Sequence, residues 1–581
     1  MGSPSTGHGA NAPRRRLRRG SAALLALAIC GCTSGRPAPE AGAGTAAGRA
    51  APAPTVERVE PHSEWAEAIL YQVLIDRFAD GDPANDRGVD LAAKGAFHGG
   101  DLAGLRARLD EISGLGATAL WITPVVDNID GFVTGAGFPD WAYHGYWADD
   151  FERVDPRFGS EEELGALVAA AHERGMKVLL DVVYNHVGYG SAYLERPATR
   201  GWLRTPADGT CGDDDLTSCL SGLPDLRTED PEVAAYLIAA HLGRAARAGL
   251  DGFRLDAVKH VGHDFWRRHR ERVRAELGAE FFLLGEVWGG DAAVLEPWFA
   301  AGELDAGFDF GFAGNVIAFL QGRGRPVAFN AYLERHRRPR PGHLLAHYLS
   351  SHDVAGALHQ LGGDRALFRL AAVLQMTASG IPVVYYGEEV GRAGGEWPDN
   401  RSDMPWGERA IAPGAGRPRD EALREDYRRL IAVRRAHPAL WRGEHRGLQF
   451  EADLLVFLRT DPRTGEAVAV AVNRGAAPAM AAFAMPPAWR GRPLVDELSG
   501  TELPAAAGER VEFEVAPRGA RIVAATARAL SDTNGSPLTA TDYARLKGAC
   551  AAAGRPPTRG RGPAGFTPAG RGAGTAPLEE D

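Results

Sequence analysis

Two periods of hydrophobicity alternate along most of this chain. Short apolar runs fall at residues 69–75, 117–123, 178–183, 252–255, 281–284, 306–310, 344–349 and 383–386. Each is too short for a helix and reads as a strand. Between them, stretches at 102–112, 161–174, 231–248, 365–379 and 419–435 carry apolar residues three and four apart, the spacing of an amphipathic helix. The strands are continuous apolar runs, as parallel strands covered on both faces are. Eight such strands alternating with helices predict a (β/α)8 TIM barrel. An open doubly wound sheet is the alternative. Acids at the ends of several separate strands favour the barrel, whose sites are built there.

The pattern breaks in three places. After the third strand, residues 187–229 are rich in Gly, Asp, Ser and Thr, too long for a connection, and predict a small inserted domain. Beyond residue 438 apolar and polar positions alternate, as in Leu454-Leu-Val-Phe-Leu458 and Arg510-Val-Glu-Phe-Glu-Val515, which predicts a C-terminal antiparallel β-domain over 438–527. Residues 33–63 and 528–581 have no periodicity and are dominated by Ala, Gly, Pro and Arg, the composition of a tether and a disordered tail. The barrel then occupies 64–437.

Composition narrows the classes. The chain has 581 residues, 45% hydrophobic and 24% charged, with a net charge of −10. That suits a soluble protein of several domains and offers no basic surface for nucleic acid. At the N-terminus, Arg14-Arg15-Arg16 precedes a short apolar stretch and then Ile29-Cys30-Gly31-Cys32. This resembles a bacterial lipoprotein signal, which predicts export over residues 1–32 and a lipid anchor on Cys32. Cleavage by an ordinary signal peptidase is the alternative, since Cys30 is unusual in such a box. Export in turn permits a disulfide between Cys211 and Cys219; two unpaired loop thiols are the alternative. Cys550 has no assigned role.

Candidate chemistry sits at strand ends. Arg254 and Asp256 lie two apart in Gly252-Phe-Arg-Leu-Asp256, so their side chains share one face of a strand. An arginine there can aim a carboxylate nucleophile. Glu286 ends the apolar run Phe281-Phe-Leu-Leu284, and a carboxyl beside apolar surface stays protonated to higher pH and can donate a proton. Asp353 follows His352 after the seventh strand, and His186 ends Asp181-Val-Val-Tyr-Asn-His186. Two carboxyl groups close together are the requirement of retaining glycoside cleavage. Taken singly, each residue would more often be a salt bridge, a helix cap or a structural histidine.

These segments in this order resemble the α-amylase family of glycoside hydrolases and transglycosylases, from about residue 65 to 523, with Leu223-Pro-Asp-Leu226 as a fifth matching region. The resemblance implies Asp256 as nucleophile, Glu286 as general acid/base and Asp353 as stabiliser of the transition state. It implies that His186, Arg254 and His352 bind the sugar at the cleavage point, with Tyr146 stacking on it beside His144. Lys259 and His260 resemble the pair that contacts the leaving-side sugar in members acting on α-1,4-glucan chains. Ser351 departs from the Asn of many members. The resemblance also implies Ca²⁺ at one or two sites. One would use Asn185, Asp225 and the carbonyl of His260, and the other Asp80, Asp82, Asn85, Asp86, Gly99 and Asp101. The expectation is an exported, monomeric, retaining α-glucan hydrolase. A glucanotransferase or a cyclodextrin- or pullulan-degrading enzyme is the alternative. A non-catalytic glucan-binding protein is the distant one, since all three acids are present.

Overall fold

A computed structural model describes residues 63–135, 137–504 and 508–526. The expected export signal with Cys30 and Cys32, the expected tether up to residue 62, Cys550 and the tail expected from residue 528 lie outside the described residues.

Eight parallel strands close into a barrel: β1 Leu70–Val73, β2 Ala119–Ile122, β3 Lys177–Val182, β4 Gly252–Leu255, β5 Phe282–Gly285, β6 Ala306–Phe308, β7 Leu344–Tyr348 and β8 Ile381–Tyr385. Each pairs with its sequence neighbours, and β1 pairs with β8. Alternation within each strand sorts its side chains. Leu70, Ala119, Trp121, Leu179, Phe282, Leu284, Ala306, Phe308, Ala346 and Val383 form a core inside the barrel, closed by Trp65 stacked on Phe282 at 4.3 Å. The odd-phase residues, such as Tyr71, Leu120, Leu180, Phe253 and Leu283, pack against the outer helices. Gly252 is needed where it stands: a Cβ there would lie 2.3 Å from the carbonyl oxygen of Phe282 and 2.6 Å from Leu179 Cδ2.

The helices end where their caps dictate. Helix Pro231–Ala248 starts on Asp230, whose side chain accepts from Glu232 N, and stops at left-handed Gly249. The helix expected over 102–112 is divided into Leu102–Ala107 and Leu109–Leu115, because Arg108 N bonds back to Leu105 O at 3.0 Å in a tight 3₁₀-type turn. A further difference follows β2. The chain makes an excursion there in which Val126–Asn128 pairs antiparallel with Ala148–Val154, strands the sequence pattern did not predict. This excursion carries His144 and Tyr146 to the barrel mouth. In the insert after β3, Leu203–Arg204 pairs with Asp225–Leu226, and Cys211 and Cys219 are joined in a disulfide.

Past helix Glu421–Ala436 the chain becomes antiparallel. Strands β9 Glu444–Glu451, β10 Leu454–Thr460, β11 Ala467–Asn473, β12 Ala479–Ala484, β13 Leu494–Asp496, β14 Thr501–Glu502, β15 Arg510–Val515 and β16 Gly519–Ala525 form a six-stranded sheet, β9-β10-β11-β16-β13-β14, and a pair, β12-β15. Both faces of β10 and β11 are buried. Leu455, Phe457, Val468, Val470 and Val472 join the main core of the barrel and its helices. Leu454, Val456, Leu458, Ala469 and Ala471 pack under the second sheet.

Candidate active site

Strand register brings the charged residues together. Arg254 in β4 lies opposite Asp181 in β3 and Leu284 in β5, so Asp181 and Arg254 are neighbours at one level of the barrel interior. One level higher the strands have just ended. Asp256 N still bonds to Val182 O at 3.0 Å, and Glu286 N to Leu255 O at 2.9 Å. Two acids from adjacent strands therefore emerge side by side. The chain then turns sharply at Ala257, whose φ of 48° is a left-handed conformation rare for a residue with a Cβ. That turn aims Ala257 N at Glu286 Oε2, 3.0 Å away.

Arg254 is the hub. It is 2% exposed; Nη1 donates to Asp256 Oδ1 at 2.6 Å and to Asp181 Oδ1 at 2.9 Å, while Nη2 lies 3.2 Å from Glu286 Oε2. Burial pulls its pKa down, and the surrounding Asp181, Glu286, Tyr146 and Asp256 more than reverse this, holding it well above the ordinary arginine value. For Glu286 the balance runs the other way. Burial first, then the charges of Asp256 and Asp353, outweigh Arg254 and raise its carboxyl from 4.5 to about 8. Because Oε2 already accepts from Ala257 N and faces Arg254, the proton belongs on Oε1. Asp181 is raised to about 7, by burial above all. Asp353 is opposite in sense: burial would raise it, but His352 beside it, then Arg401 at 3.4 Å and Arg254, bring it below the ordinary value.

The aromatic and histidine side chains form one hydrogen-bonded chain. Tyr146 Oη donates to Asp181 Oδ2 at 2.7 Å and so must accept at 2.9 Å from His352 Nε2. That places the ring proton of His352 on Nε2, and Nδ1 then accepts from Gln72 Nε2 at 2.5 Å. Burial lowers the His352 pKa to about 4, which keeps the ring neutral, so Arg401 is the lasting cation beside Asp353. His144 Nδ1 accepts from Tyr146 N at 3.1 Å, and burial also lowers its pKa, well below the ordinary value. His186 is buried and lowered in the same way.

The residues named from the sequence converge. His144, Tyr146, His186, Asp256, Lys259, His260, Glu286, His352 and Asp353 all line one open cleft of about 630 Å³, with Arg254 beneath. Trp288 lies on its rim, 54% exposed against Phe310. Ser351 Oγ accepts from Asp353 N at 3.1 Å, and thus braces the loop. Sequence reasoning missed Asp181, Arg401, Asp140 and Trp397. A carboxylate inside the apolar run of β3 was a signal for Asp181. Arg401 and Trp397 come from the loop after β8, which has no periodicity to mark it.

The two expected calcium sites fare differently; no three His, Cys, Asp or Glu side chains form a closed metal cage among the described residues. In the first, Asn185 Oδ1 is buried without a hydrogen-bond partner. Asp225, however, is taken: Arg204 Nη1 donates to its Oδ2 at 2.7 Å, both side chains buried. The carboxylate this set would offer a cation is already neutralised by a guanidinium, so Asn185, Asp225 and the His260 carbonyl do not fit Ca²⁺. In the second, Asp101 is a helix cap that accepts from Gly104 N, Gly81 N, Asp82 N and Asn85 Nδ2. Around it Asp80 Oδ1, Asn85 Oδ1 and Asp86 Oδ1 are buried and unpartnered. Burial and mutual repulsion raise Asp80 to about 6 and push Asp86 up as well. Unsatisfied hard oxygens that repel one another fit a hard divalent cation, with Asp82 and Gly99 beside them.

Comparison with known proteins agrees with this architecture. Residues 72–203 and 212–427, more than half of the chain, match the family model of the alpha amylase catalytic domain. Neopullulanase 2 of Thermoactinomyces vulgaris is 35% identical over 424 residues, covering 68% of each chain. A cyclomaltodextrinase of a Bacillus species is 32% identical over 430 residues, covering 70% of this chain and 73% of its own. The crystal structure of an Anoxybacillus α-amylase superposes with a TM-score of 0.69 at 29% identity, over 80% of this chain and 99% of that one. A barrel of this kind, three acids around one arginine at its mouth and the matching catalytic-domain sequence lead to one conclusion: the chain is a glycosidase of the α-amylase family.

Proposed function

We propose that this glycosidase hydrolyses α-1,4-glucosidic bonds of starch-derived chains or rings with retention of configuration. The observation that carries the reading is the pair Asp256 and Glu286, both tied to Arg254, with the Glu286 carboxyl raised to about 8. Asp256 Oδ attacks the anomeric carbon as the bond to the leaving sugar oxygen breaks, and Glu286 passes its Oε1 proton to that oxygen. Water then gives a proton to the Glu286 carboxylate and its oxygen to the anomeric carbon, releasing Asp256. Asp353, ionised beside Arg401, offsets the positive charge of the oxocarbenium-like transition state. Tyr146 and His144 supply the wall for the sugar's apolar face.

Lys259 and His260 in the cleft wall support action on chains longer than a single glucoside. Relatives named neopullulanase, cyclomaltodextrinase and maltogenic α-amylase support α-glucan oligosaccharides as the substrate class. Calcium in the 80–101 loop and lipid-anchored export through Cys32 belong to the same proposal. The unpartnered oxygens of Asp80, Asn85 and Asp86 support the first, and the basic-apolar-cysteine leader supports the second. Proton NMR of the first product decides the stereochemistry: the α-anomer is expected, and initial β-product overturns retention. Product profiles on soluble starch, pullulan and cyclodextrins identify the preferred bond and separate hydrolysis from glucosyl transfer.

A further inference from the structure

The Cys211–Cys219 disulfide closes a small ring within the insert. The ring is wound tightly on itself. Asp214 Oδ1 accepts from Leu216 N and Thr217 N, each at 2.9 Å, and Gly212 N donates to Thr217 O at 2.8 Å. The ring packs against the hairpin of the insert, with Cys219 Sγ 3.6 Å from the carbonyl oxygen of Arg204, the residue paired with Asp225. Asp215 stands midway between the two cysteines. It faces the cleft wall twice. Its carbonyl accepts from His260 Nδ1 at 2.7 Å, and its Oδ1 lies 3.7 Å from Lys259 Nζ. Directly after the ring, Leu220 and left-handed Ser221 themselves line the cleft.

These contacts have chemical consequences. A carbonyl can only accept, so the bond to Asp215 puts a proton on His260 Nδ1. In a neutral ring, Nε2 is then an acceptor for a sugar hydroxyl. A lysine side chain has many rotamers, and fixing it on binding costs free energy. An aspartate on a closed ring restricts Lys259 before substrate arrives. The ring thus orders both residues without touching the reacting atoms.

We propose that the disulfide ring is a specificity element, with Asp215 as the positioning residue that sets Lys259 and His260 for the sugar on the leaving side. This rests on the reading of Lys259 and His260 given under Proposed function. The substrate class it selects is a linear α-1,4-glucan with at least one sugar beyond the cut, in preference to a short glucoside with an aryl leaving group.

The test is the ratio of kcat/KM for maltoheptaose to that for an activated aryl glucoside, measured on the full chain. In Asp215→Asn the ratio falls about two- to fivefold, the scale of one partly exposed ion pair. Breaking the ring with Cys211→Ala and Cys219→Ala together lowers it further, about tenfold, because the His260 bond is lost as well. In a Lys259→Ala background the Asp215→Asn effect disappears, as coupled residues require. An unchanged ratio in Asp215→Asn, or an equal fall with Lys259 already removed, overturns the positioning role. If Lys259→Ala alone leaves the ratio unchanged, the underlying reading of Lys259 fails, and that outcome is distinct. Should the double cysteine variant fail to fold, the Asp215 and Lys259 cycle still decides.

Discussion

Two of the places that bury arginine in this molecule do opposite things with it. At the barrel mouth Arg254 meets Asp181, Asp256 and Glu286, and its pKa is driven well up. At the seam between barrel and β-domain, Arg434 and Arg459 meet only backbone carbonyls, and burial pulls both pKa values down. Arg434 gathers Met376, Ala378 and Gly380 at the end of helix Arg365–Thr377; Arg459 gathers Ala439, Leu440 and Gly443 at the end of helix Pro438–Trp441. Helix C-termini carry partial negative charge and unpaired carbonyls, enough to hold a guanidinium as a staple. The lesson is that burial alone assigns no role. At the barrel mouth the buried cation offsets the charges of the carboxylates beside it; at the seam it ties off helix-end carbonyls, Arg434 within the barrel and Arg459 within the β-domain.

The comparison breaks most visibly by exchange. Arg254→Met should lower kcat/KM by about 10²–10⁴, the equivalent of the roughly 3–5 kcal/mol lost when one member of a buried charge cluster is removed. Arg434→Met should do the reverse: a clear fall in thermal midpoint, with kcat/KM of the folded fraction near that of the unaltered protein. Equal activity losses in both variants would refute the distinction. Next in size, Glu286→Gln should cost about 10²–10⁴ in kcat on maltooligosaccharides, and markedly less on an aryl glucoside whose leaving group needs no proton. A similar loss on both substrates would remove Glu286 as the acid.

A smaller effect is read from pH. The first step needs protonated Glu286, so kcat/KM should fall as pH rises through about 8, and Glu286→Gln should lack that limb. Stability follows the same sign. The folded state binds the Glu286 proton more tightly than the unfolded chain, so stability is lost as pH rises from about 4.5 to about 8. The melting temperature of Glu286→Gln relative to the unaltered protein should therefore rise across that window; a flat difference counts against the shift. Smallest is the metal effect. EDTA should lower the melting temperature by removing a cation bound only to the folded state, and Asp86→Ala should abolish that sensitivity. Asp225→Ala should destabilise the insert by leaving Arg204 with only the exposed Glu229 as an ionic partner, yet leave the chelator effect intact.

Much of the fold was legible because a covered parallel strand and an amphipathic helix leave different periods. The eight runs from 69–75 to 383–386 each overlap a barrel strand, and the spacing of Arg254 and Asp256 already placed both on one face. The excursion over 123–160 was not legible, since its short paired strands carry polar residues with no clean alternation. The contact of Arg204 with Asp225 was equally hidden, because it depends on a hairpin in a segment poor in hydrophobic signal. That contact is what separates the two expected calcium sites.

The sequence by itself determined that Arg254, Asp256 and Glu286 stand at the barrel mouth, because strand period and strand ends dictate facing. Tertiary structure alone decided what those side chains are. Asp181 and Arg254 are 73 positions apart and meet only through the register of β3 and β4. The Glu286 carboxyl is raised to about 8 because burial and two neighbouring carboxylates outweigh one guanidinium, a balance of distances that no linear spacing encodes.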